Sequence, residues 1–160
     1  MPEQKKQHPP EPPFIPREGQ IDYTNIKRAP VINSVVVCQG KILLVQRNPN
    51  MKFHPGVWSG ISGFLDEPHK SVEEKVREEL REELGIQEDE IVSIREGELM
   101  EEESPEYDKV WIVHPVLVEL STFEENLDWE AQNFVWVEPE EARQYDLLPN
   151  FDKVLDAFSL

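Results

Sequence analysis

Residues 71–86 read S-V-E-E-K-V-R-E-E-L-R-E-E-L-G-I, and the arrangement of charge along this stretch decides how the chain is read. Ser71 with Glu74 three residues on is a capping box, and Gly85 stands where a helix should end in a left-handed turn. An α-helix advances about 100° per residue. With Glu79 as the origin, Val72, Val76, Leu80 and Leu84 fall at about 20°, 60°, 100° and 140°, one apolar stripe. Glu83 lands inside that stripe at about 40°, and Glu82 lies at about −60° on its flank. Glu74, Glu78 and Arg81 fall on the opposite face, where charge pairs four residues apart account for them as solvated groups.

The helix therefore carries two populations of glutamate, one facing water and one beside the face that must be buried. Three carboxylates at i, i+3 and i+4 do not share a partly buried site as bare anions. Either their pKa values rise or a cation stands among them. Oxygen ligands without histidine or cysteine favour a hard ion, Mg²⁺, Mn²⁺ or Ca²⁺. The plain alternative is that all three glutamates hang in solvent on a generic acidic helix.

Upstream, P-V-I-N-S-V-V-V-C-Q-G-K-I-L-L-V-Q-R places two β-branched, apolar runs around Gln39-Gly40, the pattern of a hairpin over Val31–Cys38 and Lys41–Gln46. Cys38 ends an apolar strand and reads as a buried structural thiol rather than a nucleophile. N-P-N-M-K-F-H-P-G is a loop, followed by a short strand in V-W-S-G-I-S. Downstream, Ile91–Glu98 and Val110–Glu119 are expected as strands separated by an acidic turn, M-E-E-E-S-P-E-Y-D. Phe134–Val137 is a further strand, followed by a helix from about Pro139 to Tyr145. A last amphipathic helix over Asn150–Phe158 sets Phe151, Val154, Leu155 and Phe158 on one side. This order implies an α/β fold with a mixed sheet between helices.

The chain has 160 residues, a length for one domain, with 33 acidic against 16 basic side chains and a formal charge of −17. Residues 1–19 are proline-rich and polar and read as a disordered arm, leaving 20–160 as a single domain. The acidity belongs to that domain, and it argues against a nucleic-acid partner. No apolar run of about 18 residues is present, and the first residues lack a signal-peptide core. The expectation is a cytoplasmic protein without membrane association. A single cysteine excludes an internal disulfide framework and a cysteine-rich zinc site.

The stretch from Gly63 to Ile86 resembles the Nudix box, G-x5-E-x7-R-E-U-x-E-E-x-G-U, where U is a bulky aliphatic residue. Glu79, Leu80, Glu82, Glu83, Gly85 and Ile86 match. Two positions depart: Lys70 stands at the first glutamate and Glu78 at the arginine, while Gly63 lies one residue early. In that family the glutamate and arginine form a structural ion pair, so Lys70 and Glu78 are expected to form the same brace with reversed polarity. A degenerate, inactive box is the competing reading. The resemblance covers about Val31 to Glu141 and implies a Nudix-type α/β/α sandwich.

It further implies a Mg²⁺-dependent pyrophosphohydrolase, with Mn²⁺ as the alternative ion. Water would attack phosphorus in a nucleoside diphosphate linked to another moiety. Glu79, Glu82 and Glu83 would be the catalytic and metal-binding carboxylates, completed by the Gly63 carbonyl. Glu130 is the expected further ligand from the loop before a late strand, with Asp128, Glu124 and Glu125 as competitors. Arg47 is a candidate for phosphate contact, and Phe53, Trp58, Trp111 and Trp129 are candidates to stack on a base. His54 and His69 read as solvated loop residues. The partner is a small phosphorylated molecule, and a homodimer is compatible with the family's habits. An isopentenyl-diphosphate isomerase type fits poorly, because it needs a cysteine in a substrate-facing loop. From a different class, a catalytically inactive nucleotide sensor or adaptor would keep the fold and the binding without the hydrolysis.

Overall fold

The computed structural model describes residues 18–68, 70–122 and 133–160. Most of the proline-rich arm, His69, and the stretch holding Glu124, Glu125, Asp128, Trp129 and Glu130 lie outside them. Among the described residues, eight strands join in one mixed sheet. They are β1 (Arg28–Cys38), β2 (Lys41–Gln46), β3 (Trp58–Ser59), β4 (Ile61–Phe64), β5 (Ile91–Glu96), β6 (Met100–Ser104), β7 (Lys109–Leu120) and β8 (Phe134–Val137). The helices are α1 (Val72–Leu84), α2 (Pro139–Ala142) and α3 (Phe151–Ala157).

β1 and β7 form a parallel pair at the centre, in register from Arg28↔Val110 to Val37↔Glu119. Antiparallel strands flank them: β5 and β6 share the outer edge of β7. On the other edge of β1 the sheet divides. β2 pairs with β1 only at the hairpin end, Val37↔Ile42 and Cys38↔Lys41, whereas β4 takes Val31 to Ser34. That division brings the β4 glycine, Gly63, up against α1.

Both faces of the sheet are covered, so its central strands are apolar on both sides. Along β2, Leu43 and Val45 pack under α1 with Val76, Leu80 and Leu84. Ile42 and Leu44 pack on the other side with Phe151, Val154 and Leu155 of α3. The result is an α/β/α sandwich. Each fully buried leucine or valine contributes about 1.5–3 kcal/mol through lost apolar surface, which makes the α1 stripe the anchor of the helix.

The ends of α1 follow the local chemistry of its sequence. Ser71 Oγ accepts from the Glu74 N–H at 3.1 Å. Gly85 turns left-handed at φ 65°, and Gly85 and Ile86 donate to the carbonyls of Arg81 and Leu80, closing the helix.

Three expectations need correction. The acidic stretch over 100–108 is not a simple turn: Met100–Ser104 forms β6, antiparallel to β7, before a short 3₁₀ turn at Pro105–Tyr107. The single strand expected in V-W-S-G-I-S is two strands broken at Gly60, where a Cβ would stand 2.0 Å from the Ser34 carbonyl oxygen. Only glycine permits that approach. The helix expected to run to Tyr145 ends at Ala142. Cys38 is fully buried, as expected, and burial pushes its thiol pKa up.

Candidate active site

α1 lies across the sheet beside β4, and the meeting point is Gly63 with Glu79. A Cβ on Gly63 would stand 3.1 Å from Glu79 Oε1. Glycine therefore lets the carboxylate lie directly against the strand. Glu79 and Glu83 stand one turn apart on α1, and each carboxyl acts on the pKa of the other. Burial raises the pKa of Glu79 against the pull of Lys75. Glu83 as a whole residue is exposed, yet protein atoms crowd its carboxyl. That crowding first, and the Glu79 charge second, push its pKa up to about 8. The charge of Arg47 acts in the opposite direction on the same group.

Glu82 is exposed, and among the described residues no three carboxylate, imidazole or thiol groups stand in a metal-holding cluster. The donor set nonetheless suits a hard cation. It consists of oxygen atoms only, with two crowded carboxyls one turn apart and Glu82 following on the same helix.

The sequence reading missed Lys75. Its ammonium lies 3.2 Å from Glu79 Oε1 and 3.4 Å from Asp66 Oδ1, with only 6% of the side chain exposed. Asp66 is held in turn by Gln20 Nε2 at 2.7 Å. The spacing from Lys75 to Glu79, one helical turn, was the available signal. Lys70 and Glu78 meet at 2.5 Å, with Glu67 3.3 Å from the same ammonium. Glu78 is buried rather than solvated, because the segment bearing Lys70 folds over that side of α1.

The second half of the site lies on the other face of the sheet. A cavity of about 200 Å³ is lined by Phe53, Phe64 and Trp111 among others, and Gly63 and Arg47 border it. Phe53 packs edge-on against Trp111 and Tyr107, with ring centres 5.1 and 5.2 Å apart. Arg47 donates to the carbonyls of Phe53 and His54 and to Ser62 Oγ, at 2.9, 3.1 and 3.1 Å. It therefore fastens the loop after β2 to β4. His54 is not a solvated loop residue: its N–H donates to the Tyr107 hydroxyl at 3.0 Å, and its ring stands edge-on to that of Tyr107. Trp58 lies away from the cavity lining, edge-on against Tyr145 at 5.2 Å. Asn150, at the start of α3, donates to Glu102 of β6.

A mixed sheet thus lies between α1 and α3 in an α/β/α sandwich, with two carboxyls close on the helix and an aromatic cavity across the strand. The NUDIX domain profile matches residues 27–158. The chain belongs to the Nudix family, as a hydrolase acting on pyrophosphate bonds. A CTP pyrophosphohydrolase of Escherichia coli (strain K12) is 34% identical over 134 residues, spanning 83% of this chain and 93% of that protein. The solution structure of the E. coli ORF135 protein superposes with a TM-score of 0.61 at 29% identity, over 82% of this chain and 89% of that one. A C. elegans Ap4A hydrolase shares the fold, with a TM-score of 0.63 at 21% identity over 82% of this chain and 96% of its own.

Proposed function

We propose that this chain is a Mg²⁺-dependent pyrophosphohydrolase that cleaves the diphosphate of a nucleoside diphosphate linked to another moiety. The observation that carries this reading is the pair Glu79–Glu83, two crowded carboxyls one helical turn apart, with Glu79 lying against Gly63. Such a pair is costly without a cation. Glu79, Glu82, Glu83 and the Gly63 carbonyl would hold the ion, with Glu130 as a further donor. When bound, the ion supplies charge neutralisation at the phosphate oxygens and a lowered pKa for the attacking water.

The side chains divide the remaining work. Water oxygen bonds to phosphorus, one anhydride P–O bond breaks, and the leaving phosphate takes its electron pair. The water's proton passes to a carboxylate beside the ion, for which Glu79, held by Lys75, is the candidate. Lys75 fixes Glu79 in position, and Arg47 lends positive charge beside Glu83. Lys70 and Glu78 brace the segment before α1 against the helix, keeping Gly63 in place.

The test is product chromatography over a panel of nucleotides and nucleoside diphosphate derivatives with Mg²⁺. The name of the E. coli relative makes CTP the first compound to try. Glu83→Gln should lower turnover by about 10²–10⁴-fold, the usual contribution of a proton-accepting group, with nucleotide binding retained. Turnover unchanged in Glu83→Gln would sink the assignment. Binding without turnover across the panel would favour a sensor instead.

A further inference from the structure

The segment before β1 lies over the turn between β4 and α1, and it is fastened there more firmly than a lead-in to a strand requires. Gln20 Nε2 donates to Asp66 Oδ2 at 2.7 Å, and the Ile21 N–H donates to the Asp66 carbonyl, also at 2.7 Å. The Tyr23 ring stacks on that of Phe64 in β4, with centres 5.8 Å apart and planes within 8°. Farther along, the buried Lys109, at the start of β7, donates its ammonium to the carbonyls of Tyr23, Thr24 and Ile26. The segment is thus tied at one end to the β4–α1 turn and at the other to β7. Residues 20–26 precede the Nudix match, which begins at residue 27, so the family pattern does not account for this fastening.

The contact on Asp66 leads inward to the carboxylates. Its Oδ2 takes the Gln20 amide, and its Oδ1 faces the Lys75 ammonium at 3.4 Å. The same ammonium lies 3.2 Å from Glu79 Oε1. Asp66 and Lys75 are both buried, so water competes little for these contacts. An ammonium on a four-carbon stem is a movable point charge with three donors. Between two carboxylates it settles by the one that is better anchored. Asp66 is anchored twice from outside the helix, at its side chain by Gln20 and at its backbone by Ile21. Lys75 therefore carries the position of Asp66 to Glu79.

Resting on the hydrolase reading, we propose that Gln20 and Asp66 are positioning residues for the reaction: they place the Lys75 ammonium, which holds one oxygen of Glu79 and leaves the other for the cation and the attacking water. Neither residue touches the substrate. Groups that orient a metal ligand from behind it contribute about 10–100-fold to metal affinity or activity. Gln20, one bond farther out than Asp66, belongs at the low end.

The experiment pairs two measurements on the full chain. One is steady-state kinetics with Mg²⁺ on the panel nucleotide that the parent turns over fastest. The other is Mn²⁺ titration followed by electron paramagnetic resonance, without nucleotide. Gln20→Met keeps the length of the side chain and its neutrality but has no donor. It should lower kcat by about tenfold at unchanged KM, and weaken Mn²⁺ binding by about as much. Gln20→Lys again reaches Asp66 with an N–H donor and should recover most of the loss in kcat. Asp66→Asn keeps the shape and removes the charge that shares Lys75. It should cost more than Gln20→Met, within the same range of about 10–100-fold, and serves if the methionine variant does not fold. Parental kcat and Mn²⁺ affinity in either folded variant overturn the proposal. So does a lysine variant no better than the methionine one, or a rise in KM in step with the loss of kcat, because either marks a loosened fold. A parent that binds Mn²⁺ but turns over no compound of the panel defeats the hydrolase reading alone, and the Mn²⁺ titration of Gln20→Met then decides the positioning.

Discussion

The two faces of the sheet carry different buried polar groups: paired charges under α1, beside an unpartnered Ser34 Oγ, and a neutral amide across the strands. Under α1 the charges come in sets: Asp66, Lys75 and Glu79 in one, Lys70, Glu67 and Glu78 in another. Across the strands, Asn33 sits among apolar and aromatic neighbours with its carbonyl oxygen unpartnered. A satisfied network fixes geometry, whereas an unsatisfied group reserves a bond for something else. On the hydrolase reading, the ion pairs under α1 would hold Glu79 in position, whereas nothing among the described residues engages the Asn33 carbonyl oxygen. Substitutions on the two faces should accordingly change stability with opposite signs.

The largest effect should come from Lys75. Lys75→Met leaves Asp66 and Glu79 buried without their ammonium, and breaking a buried pair typically costs about 3–5 kcal/mol. Urea denaturation of the metal-free protein measures it. A loss under about 1 kcal/mol would mean that the triad behaves like a surface pair, and the contrast between the faces would collapse. Next in size is the brace. Each single reversal, Lys70→Glu or Glu78→Arg, places like charges in contact, and a double-mutant cycle should return a coupling of about 0.5–3 kcal/mol. The double reversal should recover most of the stability. It should fall short of the parent, because Glu78 also acts on the Lys75 ammonium. Equally harmless single reversals would show that the pair braces nothing.

On the other face the sign should change. Asn33→Leu replaces an unsatisfied amide by an apolar group of similar size, and the relief should raise stability by about 1 kcal/mol. The same denaturation experiment reads it. A loss of stability would mean that the amide has a structural partner in solution, and the contrast would then rest on the α1 side alone.

How much of this could be read from the chain alone depends on how local each feature is. The capping serine, the apolar stripe, Gly85 and the carboxylates Glu79, Glu82 and Glu83 lie within sixteen consecutive residues, so periodicity exposes them. Lys75 belongs to the same helix and was legible by its spacing from Glu79, but its burial depends on Asp66 and Gln20 from elsewhere. β6 was not legible, because Met100–Ser104 carries three glutamates and becomes a strand only through its ladder with β7. The cavity is assembled from β1, β4, β7, α3 and the loop after β2, and no short window of sequence contains it. Asn33 is visible as the polar break in V-I-N-S-V-V-V, yet its lack of a partner follows only from the Ser62 and Pro115 register.

The smallest effect, and the one that joins the two halves of the site, concerns pH. In the metal-free protein Glu83 has a pKa near 8, raised first by crowding of its carboxyl and then by Glu79. Its ordinary value in an unfolded chain is about 4.3. A folded-state pKa above the unfolded one contributes stability at low pH, and that contribution is lost as pH rises from the unfolded value through the folded one. Metal-free stability should therefore decline between about pH 4.5 and 8 through this group. A bound divalent cation takes the place of the proton, so the gain in melting temperature on adding Mg²⁺ should be larger at pH 8 than at pH 5.5. Glu83→Gln should remove most of that difference while leaving Asn33 and the cavity untouched. The residue's exposure screens the coupling and keeps the effect modest. An equal Mg²⁺ gain at both pH values would place the cation away from Glu83, and would separate the charged face of the sheet from the chemistry assigned to it.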